Sequence, residues 1–497
     1  MTTRRPNVVL IMTDTQGANI VGCYGRSGLR TPNIDRLAAE GVQFTRAYTT
    51  CPVCAPARAA LFTGLHAHST GVWGNHLPLG NTVRTMGERF QDAGFRTAYV
   101  GKWHLSGQDY FDTGICPPGW DDKYWYDGRR YLGDLTDEQI ALWRQGLNSI
   151  EDLRRHKITA PFTWGHRISN RAIEFLEERA AGPEPFLLVV SYDEPHGPYT
   201  CPPEFVAPFL DFCYDAGPGA GDDLQSKPAH HRAWAEEMKN AGSTAKPGAL
   251  AMYLGCNSFV DHEIGRVLAA VQQHAPENTM VIYTSDHGDM LGAHRLLQKG
   301  PAMYEEITRV PFIVQLPGSR RCGVKDHALV SHIDILPTVL EAAGLPVPPI
   351  LPGRSLCARV RDGVESGPDR AAFLEFNRYE ADIDYTGFQP IRCWVSGDYK
   401  LVINLLDTVD ELYDLREDPA ELNNLIASPA HGEIRDRMLD ELLAYMNRVI
   451  DPFRGYQWEQ RPWRKTRKLG WRDKRRPRLA DGYAPPALEY DTGKPGA

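Results

Sequence analysis

The sequence predicts an α/β fold built on a mostly parallel sheet, and three observations carry that prediction. Short apolar runs recur along the chain: Asn7–Thr13 (NVVLIMT), Thr97–Val100 (TAYV), Phe186–Val190 (FLLVV) and Met280–Thr284 (MVIYT). Runs of this kind read as strands buried on both faces, the habit of parallel sheets. Each run ends on polar residues capable of chemistry. Amphipathic helical segments lie between the runs, and strands alternating with helices imply crossover connections. Ligands in such folds sit at the carboxyl ends of the strands.

The elements follow in order. The first run opens onto Asp14-Thr15-Gln16-Gly17, and Asn33–Glu40 (NIDRLAAE) reads as a helix stopped by Gly41. Ala59–Leu65 can start another helix. The second run ends at Gly101-Lys102-Trp103-His104, the third at Ser191-Tyr192-Asp193-Glu194-Pro195-His196, and the fourth at Ser285-Asp286-His287-Gly288-Asp289. Ser169–Arg179 and Phe259–Gln273 are helical between them. After about residue 370 the character changes. Arg392–Val395, Lys400–Asn404 and Glu411–Asp414 read as short antiparallel strands, and Glu433–Ile450 as one amphipathic helix. The expected organisation is a core domain over 1–370, a smaller α+β subdomain over 371–450 and an irregular tail over 451–497. The tail carries the basic island RPWRKTRKLGWRDKRRPR from Arg461. It reads as a solvated or subunit-wrapping tail, with a platform for an anionic substrate or partner as the alternative. Its tryptophans favour docking, and a homo-oligomer is compatible with it.

Composition excludes some classes. The 497 residues carry 55 Lys and Arg against 63 Asp and Glu, a formal net charge of −8. A nucleic-acid binder would be strongly basic. The longest apolar run near the start is Val8–Met12, too short for a signal-peptide core, and no run reaches transmembrane length. The expectation is a cytoplasmic protein with no membrane and no nucleic-acid partner. Ten scattered cysteines fit free thiols in a reducing compartment.

The stretch CPVCAPAR, Cys51 to Arg58, decides the chemistry. Read as C-x-x-C it is a redox pair or half a zinc site. No thioredoxin-like unit precedes it, and His66 and His68 are poorly spaced to complete a zinc site. Setting Cys51 aside leaves Cys54-Ala55-Pro56-Ala57-Arg58 followed by Ala-Ala-Leu-Phe-Thr-Gly. This C-x-P-x-R resembles the signature of the type I sulfatase family. Other matches fall in the family's order: Pro6–Asp14, Thr31–Leu37, Gly101–His104, Asp193–His196, Ser285–Asp289, Lys299 and His332–Thr338. The resemblance covers about residues 6–345.

The resemblance implies an alkaline-phosphatase-like fold and a sulfuric ester hydrolase acting on a sulfate ester, expected to be a sulfated carbohydrate. It implies that a formylglycine-generating maturation enzyme converts Cys54 to formylglycine (3-oxoalanine), whose hydrate attacks sulfur. It also implies one divalent metal ion, calcium first, with manganese or magnesium as alternatives, held by Asp14, Asp286, His287 and the side chain at position 54. His287 stands where many members carry Asn, which suits transition ions. The family's second aspartate is replaced by Thr15, followed by Gln16, so one negative ligand is lost and either residue is a neutral candidate. By the same resemblance Arg58 holds the modified side chain, and Lys102 and Lys299 neutralise sulfuryl oxygens. His104 accepts a proton when sulfate leaves, and His196 contacts sulfate or protonates the leaving oxygen. Arg378 and Arg392, in the C-terminal subdomain, are candidates for binding a carboxylated sugar. His66, His68, His76 and His294 are candidates for lining the pocket, while His230 and His231 are expected at the surface. Two other functions compete: a phosphonate monoester or phosphodiester hydrolase on the same scaffold, and a non-catalytic anion-binding or redox protein using Cys51 and Cys54.

Overall fold

The structure, a computed structural model, describes all residues except 1–4, 26–27, 108, 148, 180–181, 183, 241–246, 276–277, 365–369, 380–386 and 465–497. The basic island therefore lies outside the described residues beyond Arg464.

Eight strands form the main sheet: β1 (Asn7–Thr13), β2 (Val42–Tyr48), β3 (Arg96–Gly101), β4 (Trp125–Tyr126), β5 (Phe186–Ser191), β6 (Thr279–Ser285), β7 (Phe312–Gln315) and β8 (Val324–Ser331). Their order is β4-β3-β5-β1-β6-β7-β2-β8. Neighbours run parallel except β7, which is antiparallel to both β6 and β2. The expected mostly parallel α/β fold is what forms.

Period-two alternation on β1 shows why the runs are continuously apolar. Val8, Leu10 and Met12 face one apolar layer, and Val9 and Ile11 face the other. The helices Trp164–Arg179 and Pro247–His274 pack on the second face and on each other. Among the described residues no helix is long and apolar enough to cross a membrane.

Four strands then build a separate antiparallel sheet, β9 (Ala371–Phe376), β10 (Ile391–Ser396), β11 (Tyr399–Asn404) and β12 (Glu411–Asp414), in the order β12-β11-β10-β9. The helix Gly432–Arg448 covers it through Met438, Leu439, Leu442 and Met446. The described part of the tail docks here. Arg461 binds Asp410 at 2.7 Å, Trp463 donates to the same carboxylate at 2.8 Å, and Arg464 reaches Asp440 at 2.5 Å.

A buried charge cluster fastens the small sheet to the core domain. Lys400 on β11 is fully buried, with its ammonium 2.8 Å from both Glu305 and Glu421 and donating to the Met303 carbonyl at 2.7 Å. His230 and His231 grip the same segment through the Pro301 carbonyl, at 2.9 and 3.2 Å. His231 is fully buried and His230 half-buried, contrary to the surface position expected of them. They sit inside because the Pro301–Tyr304 turn needs its polar groups satisfied away from water.

Candidate active site

The site lies at the carboxyl ends of β1, β3, β5 and β6. Thr13 pairs with Ser285 in the β1–β6 ladder, so the next residues, Asp14 and Asp286, emerge side by side. Gly101 ends β3 with φ of +115°, and a Cβ there would lie 1.8 Å from the Ser191 carbonyl. Only glycine permits that approach, and it delivers Lys102 beneath the two aspartates. Cys54 is the first residue of the helix Cys54–Thr63, where the helix dipole favours an anion. The sequence reading started this helix at Ala59. It starts five residues earlier because Pro56 falls in the first turn, where its missing N–H is not needed. Arg58, one turn on from Cys54, projects from the same face.

Arg58 is completely buried and bridges the two carboxylates, with Nη2 2.9 Å from Asp14 Oδ2 and Nε 3.0 Å from Asp286 Oδ2. Its Nη1 group donates to the Lys102 carbonyl and to Ser191 Oγ. Arg58 thus fixes the acidic pair, not the side chain at 54. Lys102 Nζ lies 2.8 Å from Asp14 Oδ2 and 3.1 Å from Asp193 Oδ1. With the Oδ2 atoms held by cations, the Oδ1 atoms face inward, 3.9 Å (Asp14) and 3.7 Å (Asp286) from His287 Nε2. His287 gives its Nδ1 proton to the Gly288 carbonyl at 2.9 Å, which turns Nε2 towards the cluster. Cys54 Sγ lies 3.2 Å from that Nε2, 3.3 Å from Lys299 Nζ and 3.6 Å from Asp14 Oδ1.

Ligand atoms of Asp14, Cys54, Asp286 and His287 all lie within 4.8 Å of one another, and all four residues are buried. Two carboxylates, an imidazole and the atom at 54 make a donor set that could hold a cation. Burial alone would raise Asp14, but Lys102, His196, Arg58 and Lys299 hold it well below the usual carboxylate range. Asp286 is pushed up to about 7 by burial and by facing Asp14. A divalent ion between them would remove that repulsion. Burial and Asp14 push the Cys54 thiol up, but Lys299, Lys102 and His287 outweigh them and hold it well below the usual thiol range. The site therefore stabilises negative charge on the atom at position 54.

A model of the sulfatase family matches residues 6–345, and a model of the C-terminal part of N-sulphoglucosamine sulphohydrolase matches residues 292–448. The chain belongs to the sulfatase family. It is a sulfuric ester hydrolase with an alkaline-phosphatase-like fold. It is 52% identical over 493 residues to an uncharacterised sulfatase, YidJ, of Escherichia coli strain K12, covering 99% of this chain and 97% of that one. It is 26% identical over 504 residues to an N-acetylglucosamine-6-O-sulfatase of Bacteroides thetaiotaomicron, covering 88% and 86%. Its fold matches a solved structure in complex with its substrate D-glucosamine-2-N,6-O-disulfate, with a TM-score of 0.73 at 23% identity, over 90% of this chain and 99% of that one.

Most residues that the sequence singled out converge in this sulfatase. Cys54, Arg58, Lys102, Lys299, Asp14, Asp286 and His287 form the cluster just described. His104 is buried with φ of +57°, and both ring nitrogens lack a partner among the described residues. Burial lowers its pKa, which keeps the ring neutral and able to accept a proton. His196 is half-buried. It gives its Nδ1 proton to the Gly197 carbonyl at 2.6 Å, and Nε2 is left to exchange the other.

Others fall elsewhere. Thr15 Oγ1 donates to Asp14 Oδ1 at 2.6 Å and so borders the cluster. The Gln16 carboxamide is taken up by Asn257 at 2.6 Å, Thr13 and Tyr283. His294 is spent on Asp222 at 2.7 Å and stacks on Tyr304 at 3.8 Å. Arg392 does not line a pocket. It is fully buried, bonded to Asp451 at 2.6 and 3.0 Å and 3.5 Å from Glu375. Glu375 also binds His68, and His66 is bonded to Tyr445, so these histidines join the core domain to the C-terminal helix. The redox reading of Cys51 fails on geometry: it is buried among Val53, Met303 and Leu374, and burial, then Glu375, raises its pKa well above the thiol range.

Sequence reasoning missed four residues. Asp193 pairs Lys102, Ser191 supports Arg58, and Asn75 accepts from the Ala55 amide at 3.0 Å at the start of the cysteine helix. Tyr110 places its ring 4.1 Å from the Lys102 ammonium and its hydroxyl 3.3 Å from His196. Ser191 and Asp193 stood in a quoted strand end without a role being given to them; Asn75 and Tyr110 leave no local signal.

Glu194 yields a pH prediction. It accepts from the Gly165 amide at 2.8 Å, while its other oxygen is buried without a partner among the described residues. Burial, then Asp193, raises its pKa from about 4.5 to about 8. The folded state therefore holds the proton more tightly than the unfolded one, and stability present below about 4.5 is lost as pH rises towards about 8. Glu194→Gln is expected to melt like the parent at pH 5 and above it at pH 8.5, measured by thermal denaturation. Equal melting at both values would contradict this.

Proposed function

We propose that this sulfatase hydrolyses a sulfate monoester of a carbohydrate, with the nucleophile supplied at position 54 inside a metal-binding cluster. One observation carries the reading: Cys54 Sγ occupies a buried position within 3.2–3.6 Å of His287, Lys299 and Asp14. The family generally converts this cysteine to formylglycine, whose hydrate offers a hydroxyl that a thiol does not. Asp14, Asp286 and His287 would hold the cation, with Thr15 as a neutral neighbour. We infer calcium from the paired carboxylates; the imidazole makes manganese an alternative, and magnesium is a second one that takes the same oxygen ligands. When bound, such an ion would acidify the attacking hydroxyl and polarise a sulfuryl oxygen.

The chain's own residues do the rest. Arg58 locks the two aspartates side by side. Lys102 and Lys299 present fixed positive charge to the sulfuryl oxygens. His104, kept neutral by burial, receives the proton given up at position 54. His196 delivers one to the leaving oxygen from Nε2. The partner implied is a formylglycine-generating enzyme. The carbohydrate class is supported by the sugar sulfatases among the chain's relatives.

The test compares kcat/KM for N-acetylglucosamine 6-sulfate, 4-nitrophenyl sulfate and phenyl 4-nitrophenyl phosphonate. The expected order places the sugar sulfate first and the phosphonate last. A phosphonate preference would move the chain to phosphonate or phosphodiester hydrolysis on the same scaffold.

A further inference from the structure

An aromatic face lies beside the catalytic pocket. The segment Val72–His76 runs along residues 377–379: the Asn75 amide donates to the Tyr379 carbonyl at 2.9 Å. Gly74 lies so close to this neighbour that a Cβ would stand 3.1 Å from the Arg378 carbonyl. This rim is tied to the chemistry at several points. The Asn75 side chain holds the amide of Ala55, the residue after Cys54. The His76 ring lies 6.3 Å from the His104 ring. Tyr379 is among the groups that act electrostatically on Lys299.

Trp73 sits in this rim, two residues from Asn75, so the two Cα atoms are at most about 7 Å apart. Its neighbours Val72 and Gly74 turn inward, and Trp73 turns out with 41% of its surface open. It meets Phe453 edge to face at 5.7 Å, and Phe453 in turn lies 5.7 Å from Phe388, which is 40% open. Beneath them the buried Arg392 guanidinium lies 5.1 Å from the Phe453 ring, itself locked by Asp451. The face is apolar, and the segment that carries Trp73 reaches the charged cluster through Asn75 and the Ala55 amide.

We propose that Trp73, Phe388 and Phe453 form a sugar-binding face that takes the C–H face of a pyranose ring of the same molecule whose sulfate lies at position 54. The inference rests on the carbohydrate reading above and names the residues that would select for it. A pyranose has a C–H face of positive character, matched to the negative faces of aromatic rings, and hydroxyl edges that stay wet. Two partly open side chains amount to far less than the roughly 800 Å² per partner of a stable protein interface. That argues for a ring-sized ligand over a second copy of the chain.

Isothermal titration of the Cys54→Ala protein, whose turnover is expected to be too slow to interfere, tests this with N-acetylglucosamine 6-sulfate and inorganic sulfate as probes. Adding Trp73→Ala is expected to weaken the sugar sulfate about tenfold and to leave inorganic sulfate unchanged. Phe388→Ser should act in the same direction and guards against a local fault of one variant. Unchanged binding of both probes, or equal weakening of both, overturns the sugar-binding face while leaving the carbohydrate reading intact. Binding of inorganic sulfate without the sugar sulfate by the Cys54→Ala protein overturns both. A lower mass for the Trp73→Ala protein by light scattering assigns the face to a second copy and overturns the proposal.

Discussion

Cys54→Ala is expected to reduce sulfate release by about 10⁴-fold or more while leaving the protein folded. The magnitude follows from the geometry. Lys299, His287 and Asp14 converge on the side chain at 54. The neighbouring Cys51 is buried in an apolar cluster and held protonated. The fold should survive because one small side chain is removed while Arg58 keeps the acidic pair in place and Asn75 holds the start of the helix. Cys51→Ser should keep its turnover. Sulfate release and thermal melts measured on both variants check this. A Cys54→Ala protein with near-native turnover would remove position 54 from the chemistry.

The second large effect is structural. Lys400→Met is expected to cost about 3–5 kcal/mol of stability, because it leaves the buried Glu421 without its cation and Glu305 with Arg309 alone. Glu305 and Glu421 both rest on that ammonium, and Glu421 already sits at about 7 through burial despite it. Removing Lys400 leaves Glu421 to take up a proton. Lys400→Met with Glu421→Gln should therefore recover part of the loss. Equilibrium unfolding in urea measures both. A loss under about 1 kcal/mol for the single variant would show that solvent reaches the cluster.

The strands that carry the site were legible because buried parallel strands are apolar throughout. β1, β3, β5 and β6 stand out as runs, and their polar tips are the residues that converge. β2 (VQFTRAY) and β8 (VKDHALVS) were not legible, since both mix charged and polar residues into the strand and β8 is the sheet's edge. Long-range charge pairing was equally hidden. Lys102 meets Asp193 across 91 positions, and His68 meets Glu375 across 307. Arg392 misled for a related reason. An arginine in a small-domain strand reads as surface or pocket, yet here Asp451 and Glu375 compensate its burial. Trp73 lies in a loop without periodicity, and its meaning depends on Phe388 and Phe453, which are distant in the chain.

The central claim is that position 54 carries the nucleophile. The most direct measurement is the mass of the peptide containing Cys54 from protein co-expressed with a formylglycine-generating enzyme, taken beside sulfate release from the same sample. The account predicts replacement of the sulfur by aldehyde oxygen, with turnover proportional to the fraction converted. Full sulfate release from protein whose Cys54 remains a thiol would contradict it.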